Sequence, residues 1–212
     1  MVNYCLKYLN HTQRLRLELG QGQHGKKELP APQWGNSEFT LDEHQNPLEM
    51  VIWADSDFKG DKSTMRSTYG YVVQLENSTV HWKSKRAHRV MTSTTEAEYH
   101  GLMKAVQKGL FYRSLFTELR IPLKVTIKGD NQSSIKLTKN PEFHDRTAHI
   151  PLEEHFVRDE VERETVKIDW VPTDQQLADG LTKPLTRDKH EEFIRRLGLV
   201  EVLESGVQKP QG

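Results

Sequence analysis

Cysteine is almost missing from this chain: Cys5 is the only one in 212 residues. A single thiol excludes an internal disulfide framework and any zinc cluster built from several thiolates of one chain. No apolar run approaches the roughly 18–20 residues that span a bilayer, and the N-terminus has no signal-peptide core. The expectation is therefore a soluble intracellular protein in a reducing compartment, with no membrane partner. Charge of one sign is not in surplus either. Thirty basic and thirty acidic residues cancel, so only local clustering can argue for or against a nucleic-acid partner. No Asp-Asp dipeptide occurs, which removes the paired aspartates of a polymerase site. With 35% hydrophobic and 28% charged residues, the chain suffices for one ordinary α/β domain with polar flanks and is too short for two full-sized ones.

What is present is organised. Val2, Cys5, Leu6 and Leu9 have helical spacing, and Leu15, Leu17 and Leu19 alternate with polar residues as a half-buried strand does. From Gly20 to about Gln45 the chain is rich in Gly, Gln, Pro and charge without an apolar period, as in a linker. Met50 to Asp55, Tyr69 to Leu75 and Val80 to Lys83 read as strands of an antiparallel meander, the last two joined by a tight turn at Glu76-Asn77-Ser78. A long helix starts near Ser93, where Ser93 and Glu96 fit a capping box, as do Thr95 and Glu98, and it runs until Pro122 forbids more. A strand over Val125–Lys128, helices over Gln132–Lys139 and Leu152–Val161, and a strand through Val166, Ile168 and Trp170 follow. Asp174–Leu181 suits a short helix, and Asp188–Leu197 an amphipathic one with Gly198 as its C′ residue. The fold class is α/β: a mixed five-stranded sheet, its first three strands antiparallel, flanked by helices.

Four carboxylates stand at element ends or starts: Asp55, Glu98, Asp130 and Asp179. A single strand-end Asp usually serves a turn or a cap. Four that converge would instead need a cation, because buried like charges without one are costly. Asp57 shares Asp55's face only if the strand continues, and Gly60 suggests that it turns. Glu96, two residues before Glu98, projects elsewhere on the helix and suits capping.

These acids lie in Trp53-Ala54-Asp55-Ser56-Asp57, Ser93-Thr94-Thr95-Glu96-Ala97-Glu98-Tyr99, Gly129-Asp130-Asn131-Gln132-Ser133 and Ala178-Asp179-Gly180-Leu181-Thr182-Lys183-Pro184. Together with Arg66-Ser67-Thr68-Tyr69-Gly70-Tyr71 and Arg146-Thr147-Ala148-His149-Ile150, the segments resemble the ribonuclease H domain of Ty1/copia-type LTR retrotransposon Pol polyproteins. The resemblance implies a ribonuclease H-like domain over residues 46–186. Residues 1–45 would be a remnant of the reverse transcriptase connection region with its linker, and 187–212 a C-terminal helix and tail. It further implies that Asp55, Glu98, Asp130 and Asp179 hold two Mg2+ ions, for which Mn2+ can substitute, and hydrolyse the RNA strand of an RNA-DNA hybrid. The implied setting is intracellular: a cytoplasmic virus-like particle or the nucleus, with the reverse transcriptase part of a parent polyprotein as partner.

For substrate contact the candidates are Lys83, Lys85, Arg86 and Arg89, in a stretch free of acids from His81 to Arg89, and Thr94, Asn131 and Gln132 beside the acidic motifs. Two readings of the basic stretch stand: a track for phosphates, or a hairpin edge protected by charge. Ser67, Thr68 and Thr94 suit turn and cap duties as well as sugar contacts. The loop before Asp179 lacks the His that cellular ribonucleases H commonly carry there. His149 and His155 find no further zinc ligands and suit capping or packing. The competing function is a catalytically silent retroelement fragment that binds nucleic acid or protein. A proofreading exonuclease would need Asp-x-Glu where Asp55-Ser56-Asp57 stands, and a transposase Glu in place of Asp179.

Overall fold

The computed structural model describes residues 15–17, 46–61, 63–139 and 151–201. The expected helix at 2–9, the linker after Gly20, the Arg146–Ile150 motif and His149 lie outside them. A short strand, β1 (Leu15–Leu17), pairs antiparallel with the last one, β7 (Leu199–Glu201). Between them run β2 (Leu48–Asp61), β3 (Arg66–Leu75), β4 (Ser78–Arg86), helix α1 (Thr94–Glu118), β5 (Leu123–Gly129), α2 (Gln132–Lys139), α3 (Pro151–Glu162), β6 (Lys167–Trp170), α4 (Asp179–Thr182) and α5 (Arg187–Leu197). Strands β2 to β6 form one mixed sheet in the order β4-β3-β2-β5-β6. The first three are antiparallel, and β5 and β6 join parallel, as the sequence pattern implies.

Local chemistry explains the joints. The β3–β4 hairpin turns on Glu76 and Asn77, at φ 48° and 65°. Two consecutive left-handed residues match the twist of the strands they connect. Helix α1 begins at Ser93, whose hydroxyl accepts from the Glu96 N–H at 3.0 Å, while the Glu96 carboxylate accepts from the Thr92 N–H at 2.7 Å. Glu96 is thus a capping residue, as its position suggested, although it reaches one residue further back than a capping box requires. Met50, Ile52 and Ala54 of β2 point into the core with Ile127, Ile168, Leu102, Val106 and Val157. Each such fully buried aliphatic contributes about 1.5–3 kcal/mol relative to exposure.

Two expectations need correction. Strand β2 does not stop near Gly60: it continues to Asp61 through a bulge between Asp57 and Asp61, with Lys59 at φ 53°. The Gly read as a turn is one of three residues, 58–60, that oppose Ser67 alone, a bulge that bends the strand without ending it. The expected helix over Asp174–Leu181 is instead a 3-10 turn at Thr173–Gln175 and the separate α4. Gln176 stands between them in extended conformation, and its buried side chain explains the break. It donates to the Ala54 carbonyl at 2.9 Å and the Lys128 carbonyl at 3.4 Å, and accepts from the Ala178 N–H at 3.1 Å. The β2–β5 ladder ends at Trp53 and Lys128, so those carbonyls belong to the residues where the strands part. Leaving such groups unpaired would cost about 1–3 kcal/mol each, more than one continued helical turn returns.

Candidate active site

Where β2 and β5 separate, the chain places its acids. Asp55 lies two residues past the last row that β2 shares with β5, and Asp130 follows the final residue of β5, held by its carbonyl to the Trp170 indole N–H at 2.9 Å. Glu98 comes from the first turns of α1 and accepts from the Ser56 backbone N–H. Carboxylate oxygens of Asp55, Glu98 and Asp130 lie within 4.8 Å of one another. Two close approaches make this possible. A Cβ on Gly101 would stand 2.7 Å from the Ser56 hydroxyl and 3.3 Å from the Asp55 carbonyl, so its absence lets α1 lie directly on β2. A Cβ on Gly70, the residue paired with Asp55, would stand 2.8 Å from Leu181, so α4 can rest on β3.

Asp179 opens α4 and is buried in the same site, but its carboxylate is engaged differently. Its Oδ1 lies 2.8 Å from the Lys183 ammonium, one helical turn on. The neighbouring Thr182 hydroxyl donates to the Asp55 carboxylate. Thr182 and Lys183 escaped notice as site residues, although an Asp followed three and four residues later by Thr and Lys puts all three on one helix face. Gln176 was missed too, because nothing in a loop sequence says which polar side chain turns inward.

The electrostatics are those of a site short of positive charge. Burial pushes the Asp55 carboxyl up to about 6, against the Thr182 hydrogen bond and Lys183, which lower it. Burial, then the charges of Asp55 and Asp130, push Glu98 up to about 9. Asp179 is raised by burial despite its bond to Lys183. Lys183 is held above its ordinary value: burial alone would lower it, but Asp179 and the charges of Asp55 and Asp130 outweigh that. One ammonium cannot balance four carboxylates. Hard oxygen donors converging with excess negative charge suit a divalent cation. Asp57 lies outside the trio although β2 continues past it.

Comparison with known proteins fits this geometry. The chain is 38% identical over 159 residues to the Retrovirus-related Pol polyprotein from transposon RE2 of Arabidopsis thaliana, covering 74% of this chain and 11% of that protein. It is 34% identical over 140 residues to the Pol polyprotein from transposon TNT 1-94 of Nicotiana tabacum, covering 66% of this chain and 10% of that protein. Over 167 residues it is 30% identical to the Ty1-LR3 Gag-Pol polyprotein of Saccharomyces cerevisiae, covering 74% of this chain and 9% of that protein. It belongs with the Pol polyproteins of copia-type retrotransposons. The chain spans about a tenth of the length of those relatives. No family model matches it. Among solved structures, LC11-RNase H1, isolated from compost by a metagenomic approach, aligns at TM-score 0.51 and 16% identity, covering 63% of this chain and 92% of that one. The shared property is the ribonuclease H fold.

The remaining candidates divide. Lys83 and Lys85 are exposed on β4 opposite Tyr71 and Tyr69. Arg86, one residue on and so on the other face, is ion-paired with Asp61. Arg89 lies 3.4 Å from the capping carboxylate of Glu96. Thr94 is exposed at the first residue of α1. Asn131 caps α2, its side-chain oxygen accepting from the Ser134 N–H at 2.9 Å, and Gln132 is exposed beside it. Ser67 is buried and accepts from the Lys59 N–H at 3.3 Å, so it serves the bulge. His155 is exposed on α3 and belongs to no candidate metal cluster among the described residues.

Proposed function

We propose that this segment hydrolyses the RNA strand of RNA-DNA hybrids during retrotransposition, with Asp55, Glu98, Asp130 and Asp179 as its catalytic acids. The reading is carried by one observation: oxygens of three of these acids meet within 4.8 Å at the point where β2 and β5 part. The ribonuclease H fold and the homology to copia-type Pol polyproteins support the choice of substrate. Mg2+ held there would supply an activated water and neutralise charge developing on the departing ribose oxygen. Asp55, Glu98 and Asp130 would bind the cations directly.

The other residues prepare that set. Thr182 orients the Asp55 carboxylate by donating to it, and the Ser56 N–H does the same for Glu98. Lys183 keeps Asp179 turned inward with a positive charge beside it. Outer partners of this kind typically change metal affinity or activity by about 10–100-fold when removed. Asn131 and Gln132 stand next to Asp130, where an amide can reach a substrate hydroxyl or phosphate; the 2′-hydroxyl distinguishes RNA from DNA. The reverse transcriptase part of a parent polyprotein is the natural partner for delivering the hybrid.

The deciding experiment incubates the purified chain with labelled RNA-DNA hybrid, duplex DNA and single-stranded RNA in Mg2+, Mn2+ or EDTA, beside Asp130→Asn. The reading expects metal-dependent cutting of the hybrid alone, lost in the variant. Cutting of all three substrates, or equal cutting by Asp130→Asn, would reject it. Binding of hybrid without cutting would favour the catalytically silent module.

A further inference from the structure

A second concave feature adjoins the acids and has the opposite charge. Between the β3–β4 hairpin and α1 lies a cleft of about 620 Å³. Tyr69 and Tyr71 are at its base, Lys83 and Lys85 on one wall, Lys104 and Lys108 on the other, and no carboxylate lines it. Strand alternation places Lys83 and Lys85 on the face that carries Tyr69 and Tyr71, which is the face α1 covers. Spacing of four puts Lys104 and Lys108 on one side of α1. None of the four ammonium groups is ion-paired with a carboxylate among the described residues: Lys104 donates to the Gln107 amide oxygen at 3.2 Å, and Lys108 sits 4.1 Å over the Phe111 ring. Cations converging from two elements on a concave floor focus a positive field and attract a polyanion. The field is felt locally, since His81 is held below its ordinary value by burial and then by Lys108 and Lys83.

One end of the cleft is lined by residues that neighbour the acidic site. Tyr69 pairs with Ser56, next to Asp55, and its ring meets that of His100 at 5.4 Å, two residues after Glu98. From His100 to Phe111 the helix advances roughly 16 Å. That is about five base-pair steps of one strand at 3.4 Å each.

We propose that this cleft is a phosphate track: Lys83, Lys85, Lys104 and Lys108 engage the backbone of one strand of a hybrid as it runs away from the cleavage site. The proposal rests on the hybrid-nuclease reading and adds a requirement on substrate length. A hybrid of about 6 base pairs can fill the acidic site without reaching the far lysines, whereas one of about 18 base pairs spans both.

The test uses the full chain and a variant with all four lysines changed to Gln. Affinity for both hybrids is measured in Ca2+ over a salt series, and cleavage in Mg2+. Each lost phosphate contact reduces the salt slope by about 0.9. The track therefore requires the variant to bind the long hybrid at least about tenfold more weakly, with a slope shallower by about 2–3.5. Binding of the short hybrid should weaken several-fold less than that of the long one, kcat should be unchanged, and the loss on long substrate should appear in KM. Equal affinity and slope for variant and parent on the long hybrid would overturn the track. So would equal losses on both lengths, which would mean a general field and no groove. Failure of the nuclease reading looks different: no cutting of either hybrid by the parent chain, whatever the binding results.

Discussion

Two adjoining hollows, one acidic and one basic, use charge in opposite ways. Asp55 and Asp179 are buried and Glu98 and Asp130 half-buried, and burial is the first cause of the shifts at Asp55, Glu98 and Asp179. Their mutual repulsion acts at low dielectric and is relieved only by a proton or a cation. Lysines 83 and 85, by contrast, are exposed, remain hydrated and cost the fold little. Chemistry is thus concentrated in a few stressed groups, while attraction is spread over several relaxed ones. Removing one acid should therefore matter far more than removing one lysine.

The largest effect should come from Asp130→Asn. It removes one of three converging charges and should lower hybrid cleavage by roughly a hundredfold or more, the scale on which loss of one major electrostatic stabiliser is felt. Hybrid binding in Ca2+ should fall much less. A variant that retained a tenth of the parent rate would show that the acids are not the stressed, indispensable set described above.

Next is the pH dependence of stability without metal. Glu98 rises from an ordinary 4.5 to about 9 in the folded chain, and Asp55 from 3.8 to about 6. Between those values the folded state holds protons that the unfolded state has released, so stability falls as pH rises. The acids' contribution is fully present below about pH 4 and is lost by about pH 9. One proton per pH unit corresponds to at most about 3–5 °C in Tm for a chain of this size. Melting in EDTA at pH 5, 7 and 9 should show this decline, Mg2+ should reverse it, and Glu98→Gln should flatten it. A Tm that climbed with pH in EDTA would contradict the burial-driven strain.

Gln176→Leu tests the scaffold beneath the acids. It leaves the Ala54 and Lys128 carbonyls without their donor at the strand parting, and should destabilise by about 2–4 kcal/mol. Because α4 follows directly, metal affinity should fall with stability. A neutral result would mean that Asp55 and Asp130 are positioned by the strands alone.

Much of this was legible in the sequence. The apolar run from Met50 to Ala54 gave the strand, the Ser93 and Glu96 pair gave the helix start, and Gly198, at φ 78°, ends α5 where a C′ glycine was expected. All depend on neighbours a few residues away. The acids could be singled out as a set only through resemblance, since no local rule says that residues 55, 98 and 130 meet. What stayed hidden depends on contacts across the chain: Gln176 reaching Ala54, Thr182 reaching Asp55, and α1 supplying the second wall of the basic cleft. Periodicity cannot show which loop side chain turns inward, nor which lysines of a helix face those of a strand. Nor could it show that Arg86, grouped in sequence with Lys83 and Lys85, is paired with Asp61 on the other face of β4.

That last difference gives the smallest expected effect and the sharpest comparison within the basic stretch. Arg86 lies on the opposite face from Lys85 and is committed to Asp61, which also accepts from the Ser63 and Thr64 hydroxyls in the β2–β3 turn. A cation already neutralised by a neighbour releases few counterions when a phosphate approaches, so it adds little to the salt slope. Arg86→Gln should change long-hybrid affinity less than about twofold and leave the slope unaltered, whereas Lys85→Gln should make the slope shallower by about 0.9. Affinity titrations of the two single variants over the same salt series make the comparison directly. Equal slopes for both would mean that sequence clustering, and not the face on which β4 presents each side chain, governs contact with the phosphate backbone.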